Sequence, residues 1–322
     1  MPSSLRLPTS GDVAAARDNI RGFAVRTPLF KLSADVPGVN IYLKLENLQP
    51  LGSFKIRPAV NVLKSMDFER LRRGVVTASA GNFGQGLAFA ARQIGIAATV
   101  VVPEGSAATK ARSLAELGAK VIRLPFEEWW TVLTTRSYAG EDAVFIHPVA
   151  ESAVIAGNAS IGAEIIEDQP QCDAVVVPFG GGGLACGIGS VMRRLKPAVR
   201  MIVAESEAAQ PAAAALANGR PVRVPHLQSF VDGMGSTTVL EEMWPLIRGM
   251  VDHAACASFT QIVQAIRLLA CRHHVIAEAA GAASVAAALA GQCGKGNIIC
   301  IVSGGNIDAS KLGAILNGQS PF

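Results

Sequence analysis

Short runs rich in valine and isoleucine alternate with longer alanine-rich runs along almost the whole chain. Strands are expected at 40–45, 74–77, 97–102, 120–124, 143–147, 174–178, 200–205 and 297–302. Helices are expected at 82–94, 109–117, 154–167, 208–217, 261–273, 280–291 and 310–317, with one more running from the glycines after 178 to residue 194. Such alternation implies an α/β protein with mostly parallel twisted sheets flanked by helices. No repeat of 20–50 residues and no low-complexity linker interrupts it. Ligands of such sheets bind beyond the carboxyl ends of the strands, so the loops that follow strands should carry the chemistry.

Composition narrows the class. Of 322 residues, 50% are hydrophobic and only 17% charged, against about 25% charged in ordinary soluble domains. That excludes disorder and implies a large core in one big domain or two packed lobes. It also points to apolar surface hidden in an oligomer, here expected to be a homodimer. A net charge of +4 with no dense basic block argues against nucleic acid as a partner. The uncharged stretch 174–192 contains Pro178 and a glycine run, which is not how a membrane helix is built. Residues 1–12 hold no apolar leader core, and the six cysteines form no CxxC pair. A cytoplasmic protein with reduced core cysteines is expected.

Four post-strand loops stand out. In Ser53-Phe54-Lys55-Ile56-Arg57-Pro58, Lys55 sits among small and apolar residues. Lost solvation lowers the pKa of such a lysine and makes it a nucleophile, although a surface lysine at a helix start would read the same way. Ser79-Ala80-Gly81-Asn82-Phe83 runs from a strand straight into a helix. Its free backbone N–H groups suit a carboxylate, or it is an ordinary tight turn. Gly180-Gly181-Gly182-Gly183-Leu184 places four glycines between strand and helix. Backbone without side chains can wrap a phosphate closely, and the spacing fits neither dinucleotide nor nucleoside-triphosphate motifs. Ser303-Gly304-Gly305-Asn306 offers a neutral hydroxyl at the end of the last strand. A reactive lysine, a phosphate cradle, a carboxylate turn and a neutral polar group together describe pyridoxal 5'-phosphate carrying an amino acid.

These motifs, with Asp232-Gly233 and Glu278-Ala279-Ala280-Gly281-Ala282, occur in the order found in one family. From about Thr27 to Asp308 the chain resembles the serine/threonine dehydratases and serine racemases, fold-type II pyridoxal-phosphate enzymes. Ile56 after the lysine and the tetraglycine run are similar to the dehydratase branch rather than to cysteine or threonine synthases. The resemblance implies that Lys55 forms the Schiff base, Phe54 packs on the cofactor ring and Asn82 lies near the ring oxygen. It implies that Gly180 to Gly183, with Leu184, hold the phosphate, that Ser303 faces the pyridine nitrogen and that Glu278 lies near the ring edge. The turn Ser79, Ala80, Gly81, Asn82, Phe83 would bind the substrate carboxylate. Two lobes are implied: a large one of 1–71 and 146–322, and a small mobile one of 72–145.

The chain departs from the family pattern in several places. Ala80 stands where racemases carry a second, acid/base serine, so β-elimination of a β-hydroxy amino acid such as L-threonine or L-serine is expected rather than racemization. Phe83 replaces a histidine, Pro58 a glycine, and Asn158-Ala159-Ser160 a Gln-Gly-Thr run. Glu205 matches one ligand of the family's divalent-cation site, but Pro211 stands where a second carboxylate belongs, so no metal is expected. Phe83 leaves a bulkier or acidic substrate open, phenylserine or threo-hydroxyaspartate. A racemase and a non-catalytic cofactor-binding protein are the remaining alternatives.

Overall fold

The computed structural model describes residues 5–34, 36–79, 81–106, 108–231, 233–319 and 321. The expected site residue Ala80, and Asp232 of the Asp232-Gly233 motif, lie outside the described residues. The strands are β1 (Leu29–Lys31), β2 (Val39–Lys44), β3 (Val75–Ala78), β4 (Ala98–Pro103), β5 (Lys120–Leu124), β6 (Val144–Phe145), β7 (Ala174–Pro178), β8 (Arg200–Ser206), β9 (His253–Ala257) and β10 (Gly296–Ile301). The helices are α1 (Ser10–Ile20), α2 (Ile56–Lys64), α3 (Phe68–Leu71), α4 (Asn82–Ile94), α5 (Ala108–Glu116), α6 (Phe126–Thr135), α7 (Ser152–Asp168), α8 (Gly183–Leu195), α9 (Pro211–Asn218), α10 (Trp244–Met250), α11 (Phe259–His273), α12 (Ala279–Leu289) and α13 (Ala309–Leu316).

Two sheets result. Six strands run β1-β2-β10-β7-β8-β9, and four run β5-β4-β3-β6. Every pairing is parallel except β1 with β2 at the edge. The central strand β7, Ala-Val-Val-Val-Pro, is buried at every position. An unbroken apolar run is what a parallel strand needs when helices cover both faces. On one face Val176, Ile298 and Cys300 pack with Ala265, Ala282 and Val285 of α11 and α12. On the other, Val175 and Ile299 pack with Ile155 and Ile188 of α7 and α8. The smaller sheet repeats the plan, with Val75 and Val100 against Leu63 and Leu87, and Val76 and Val101 against Val132 and Leu133. Helix α12 is mostly alanine and comes very close to the loop after β10: a Cβ on Gly281 would fall 2.3 Å from the Gly304 carbonyl oxygen.

The expected elements are present with ends shifted by a few residues, β6 being the shortest at Val144–Phe145. Several elements were not foreseen, and each has a reason. α2 begins inside the Lys55 loop and carries Pro58 in its first turn, where the missing N–H has no intrahelical partner to lose. α6 is Phe-Glu-Glu-Trp-Trp-Thr-Val-Leu-Thr-Thr, aromatic and β-branched, a weak helix former that packing overrides. β9, His-Ala-Ala-Cys-Ala, has little β propensity and is placed by its neighbour β8. α1 did carry a readable signal, a capping box between Thr9 and Asp12. The cysteines are all free, but the core expectation fails for two: Cys271 is exposed on α11 and Cys256 is partly exposed on the edge strand β9. No helix among the described residues is long and apolar enough to cross a membrane.

Candidate active site

Three neighbouring strands of the larger sheet, β2, β10 and β7, end at the same edge. Their following loops are therefore side by side, and they carry Lys55, Ser303 and the glycine run. The first two loops are zipped together. Ser53 pairs with Gly304 as an antiparallel bridge, Phe54 N–H donates to Ser303 O at 3.0 Å, and Gly305 N–H donates to Gly52 O at 2.8 Å.

Lys55 is the N-cap of α2, immediately before Ile56. Its Nζ donates to Pro148 O at 3.4 Å and lies 5.0 Å from the centroid of the Phe54 ring and 5.4 Å from that of Phe83. Burial pushes the ammonium down to a pKa of about 8, with the Glu278 carboxylate opposing the shift. A substantial fraction of the amine is thus neutral near physiological pH.

Across the cavity, Gly182 caps α8 in the left-handed region at φ 89°, which favours glycine. A Cβ at Gly181 would meet Val149 Cγ2 at 2.8 Å. The first helical hydrogen bond runs from Cys186 N–H to Gly182 O at 2.9 Å. The amides of Gly183, Leu184 and Ala185 precede it, at the positive end of the helix. That is an anion site with no side chain in the way, and it fits a phosphate.

The third wall is the start of α4, whose N-cap Gly81 provides no side-chain cap. Asn82 is held from both sides: its Nδ2 donates to Glu278 Oε1 at 2.8 Å, and its Oδ1 accepts from Asn306 Nδ2 at 2.8 Å. Asn306 Nδ2 also donates to Leu51 O at 2.9 Å, so the amide orientation is fixed by the loop that leads to Lys55. One cavity of about 400 Å³ is lined by Phe54, Lys55, Ser79, Gly81, Asn82, Phe83, Gly180 to Gly183, Leu184, Glu278 and Ser303. Reactive amine, neutral hydroxyl, aromatic ring and anion cradle thus surround one space, and the set fits pyridoxal phosphate.

Glu205 is elsewhere. Its oxygens accept from Ala212 N–H at 2.7 Å and Ala213 N–H at 2.9 Å, capping α9, and burial raises its pKa to about 7. Pro211 opens that helix, so the carboxylate caps amides where the family pattern would have a ligand.

Other wall residues escaped the sequence reading. Pro148 and Val149 lie under Lys55 and the glycines, and their turn is set by His147. His147 Nδ1 accepts from Val149 N–H at 3.1 Å and Ala150 N–H at 2.7 Å. Burial, then Arg136 and Lys55, drive its pKa down to about 3, so the ring is a neutral acceptor. Their position just past β6 was the available signal. Phe126, Trp129 and Leu133 come from α6, which was not foreseen as a helix at all.

Two residues beyond Lys55, Arg57 is fully buried. It donates to both oxygens of Glu46, at 2.8 and 2.9 Å, and to both of Glu164, at 2.7 and 2.9 Å. Lys44 Nζ adds a contact to Glu164 at 2.7 Å and donates to Thr27 O at 2.7 Å. Despite burial, the Arg57 charge holds the Glu46 carboxyl below its ordinary range. Two cations and two carboxylates so lock β2, α2 and α7 together.

The sequence model of the family described as "pyridoxal-phosphate dependent enzyme" matches residues 20–304. L-threonine ammonia-lyase of Thermotoga maritima is 39% identical over 315 residues, spanning 96% of this chain and 78% of that protein. L-threonine dehydratase catabolic TdcB of Staphylococcus aureus is 34% identical over 315 residues, spanning 95% and 91%. Maize serine racemase superposes with a TM-score of 0.89 at 29% identity, over 97% of this chain and 98% of that one. A lysine, a glycine cradle and a two-sheet frame of fold type II thus agree with the sequence match, and the chain belongs to the pyridoxal-phosphate dependent enzymes, with pyridoxal 5'-phosphate as its cofactor.

Proposed function

We propose that the protein eliminates water from a β-hydroxy amino acid such as L-threonine or L-serine, and that the enamine released tautomerises and takes up water, giving a 2-oxo acid and ammonia. One observation carries the reading: a desolvated amine, with its pKa at about 8, faces the side-chain-free amides of Gly180 to Gly183 across a single cavity. Lys55 would hold the cofactor through its aldehyde, and the glycine amides with Leu184 would hold its phosphate. Bound there, pyridoxal phosphate supplies an electron sink for the electrons left when the Cα proton departs.

The chain's own groups do the rest. The turn into α4, Ser79 to Phe83, would receive the substrate carboxylate; the Ser79 N–H already donates to Val101 O at 3.0 Å, so the amides of Asn82 and Phe83 at the helix start would do the binding. Asn82, fixed between Glu278 and Asn306, would orient the ring oxygen side. Neutral Lys55 Nζ would take the Cα proton. Ser303, buried and uncharged, would meet the ring nitrogen without fixing a proton there, which favours elimination over transamination. Phe54 would pack on the ring. Ala80 has no hydroxyl to protonate the opposite face, which favours elimination over racemization. Residues 72–145 would form a lobe that closes and excludes water. The protein would work in the cytoplasm as a homodimer.

The test is 2-oxo acid release by the cofactor-loaded protein from L-threonine and L-serine, with their D forms as controls. Release from an L form with unchanged α-configuration in the residual substrate is expected. Racemization without 2-oxo acid would replace this reading with the racemase.

A further inference from the structure

A second cavity of about 490 Å³ opens off the first. The two share Phe126, Trp129, Leu133, Pro148, Val149 and Gly181 as walls. Pro148 O is 3.4 Å from Lys55 Nζ and Val149 packs on Gly181, so the annex opens beside the reacting centre.

Its lining is aromatic in a chain that is not. Aromatic residues are 5% of the sequence and tryptophans number three, yet Trp129 and Trp130 both line this space with Phe126. The Phe126 and Trp130 rings stack with centroids 6.4 Å apart, and the Trp129 centroid is 5.6 Å from that of Phe126. Trp129 Nε1–H donates to Val101 O at 3.1 Å, so its polar edge is satisfied and the ring is held in place. Thr237, Thr238 and Leu240 form the facing wall. No lysine, arginine or carboxylate lines the annex among the described residues. A threonine methyl would occupy a small part of it, and the titratable groups on its walls among the described residues are two imidazoles, that of the neutral His147 and that of His226.

We infer that this annex receives the apolar β-substituent of the substrate, and that the preferred substrate is a β-hydroxy amino acid bearing an aryl or large branched alkyl group on Cβ. The inference rests on the β-elimination reading and names its substrate class. An aryl group buries roughly 150–250 Å² and gains from offset contact with other rings. A pocket that fills with apolar atoms discriminates by about 10-fold or more per extra methylene.

The experiment uses the cofactor-loaded full chain. Specificity constants would be measured for threo-phenylserine, L-threonine and threo-hydroxyaspartate, and the cofactor absorbance titrated with L-phenylalanine and L-alanine, which lack a leaving hydroxyl. The expected result is a kcat/KM at least about tenfold higher for phenylserine than for L-threonine. L-phenylalanine should perturb the spectrum at concentrations at least about tenfold lower than L-alanine. In Thr238→Trp, which fills the annex, the phenylserine-to-threonine ratio should fall by about tenfold or more. Turnover of L-threonine with phenylserine no better, and equal binding of the two analogues, would overturn the inference while leaving the elimination reading intact. Silence toward every substrate, with both analogues bound, would overturn the elimination reading and the inference with it. Burial of the annex against a second copy, seen as concentration-dependent tryptophan fluorescence that ignores L-phenylalanine, would also overturn it.

Discussion

Lys55 and Arg57 are two residues apart at the start of α2, and their side chains have opposite situations. Arg57 is sealed in the interior with four charge-assisted hydrogen bonds to Glu46 and Glu164. Lys55 Nζ has the Pro148 carbonyl at 3.4 Å and two aromatic rings, and the Glu278 charge acts on it. The Arg57 pKa is raised, whereas that of Lys55 falls to about 8. Arginine keeps its charge under almost any burial, while lysine gives up its proton when its charge goes uncompensated. Full pairing makes a fixed strut, and incomplete pairing makes a reactive amine. The strut holds α2 where its N-cap residue, Lys55, must present that amine.

The comparison can be broken from either side. The largest effect is expected for Lys55→Ala: 2-oxo acid release should fall by about 10⁴-fold, and borohydride should no longer fix cofactor to the peptide containing position 55. Near-normal release would remove Lys55 from the chemistry. Arg57→Met should be felt first as stability. It leaves Glu46 and Glu164 with buried charge uncompensated, at a cost of about 3–5 kcal/mol in denaturant unfolding. A loss below about 1 kcal/mol would mean that the cluster is hydrated and no strut.

The pH dependence separates the two residues without mutation. The amine must be neutral to capture the cofactor aldehyde. Capture by the apoprotein should therefore rise about tenfold per pH unit and level off near pH 8. A rise that continues toward pH 10 would show an ordinary solvated lysine. Glu278→Gln should have the smallest effect. It removes the charge that favours the ammonium while keeping an oxygen for Asn82, so capture at pH 7 should accelerate by less than about tenfold. Slower capture would mean that Glu278 acts by position and not by charge.

The same pair shows what could be read before the fold. Lys55 drew notice because small and apolar residues surround it after a strand, a local signal. Arg57 had no such signal, because its partners Glu46 and Glu164 are 11 and 107 residues away. The glycine run was legible because four glycines between strand and helix have few structural uses. His147 was not, since its role depends on a turn that only forms beneath Lys55. Glu205 matched a ligand position by residue type alone, and the helix that its oxygens cap, α9, became visible only in the fold. Phe126, Trp129 and Trp130 were missed because α6 has strand-like composition, so the apolar annex beside the main cavity had no trace in the pattern of elements.

The sequence by itself determined the alternation of strands and helices, hence parallel sheets with ligand loops at one edge, and the chemical character of those loops. Periodicity and local composition act over a few residues, and a linear string displays them. The tertiary structure alone decided which loops meet. The order β2-β10-β7 brings residues near 55, 180 and 303 together, and the smaller sheet closes the cavity with α4 and α6. It also decided which charges are compensated, because solvation and pairing depend on distances across the fold and not along the chain.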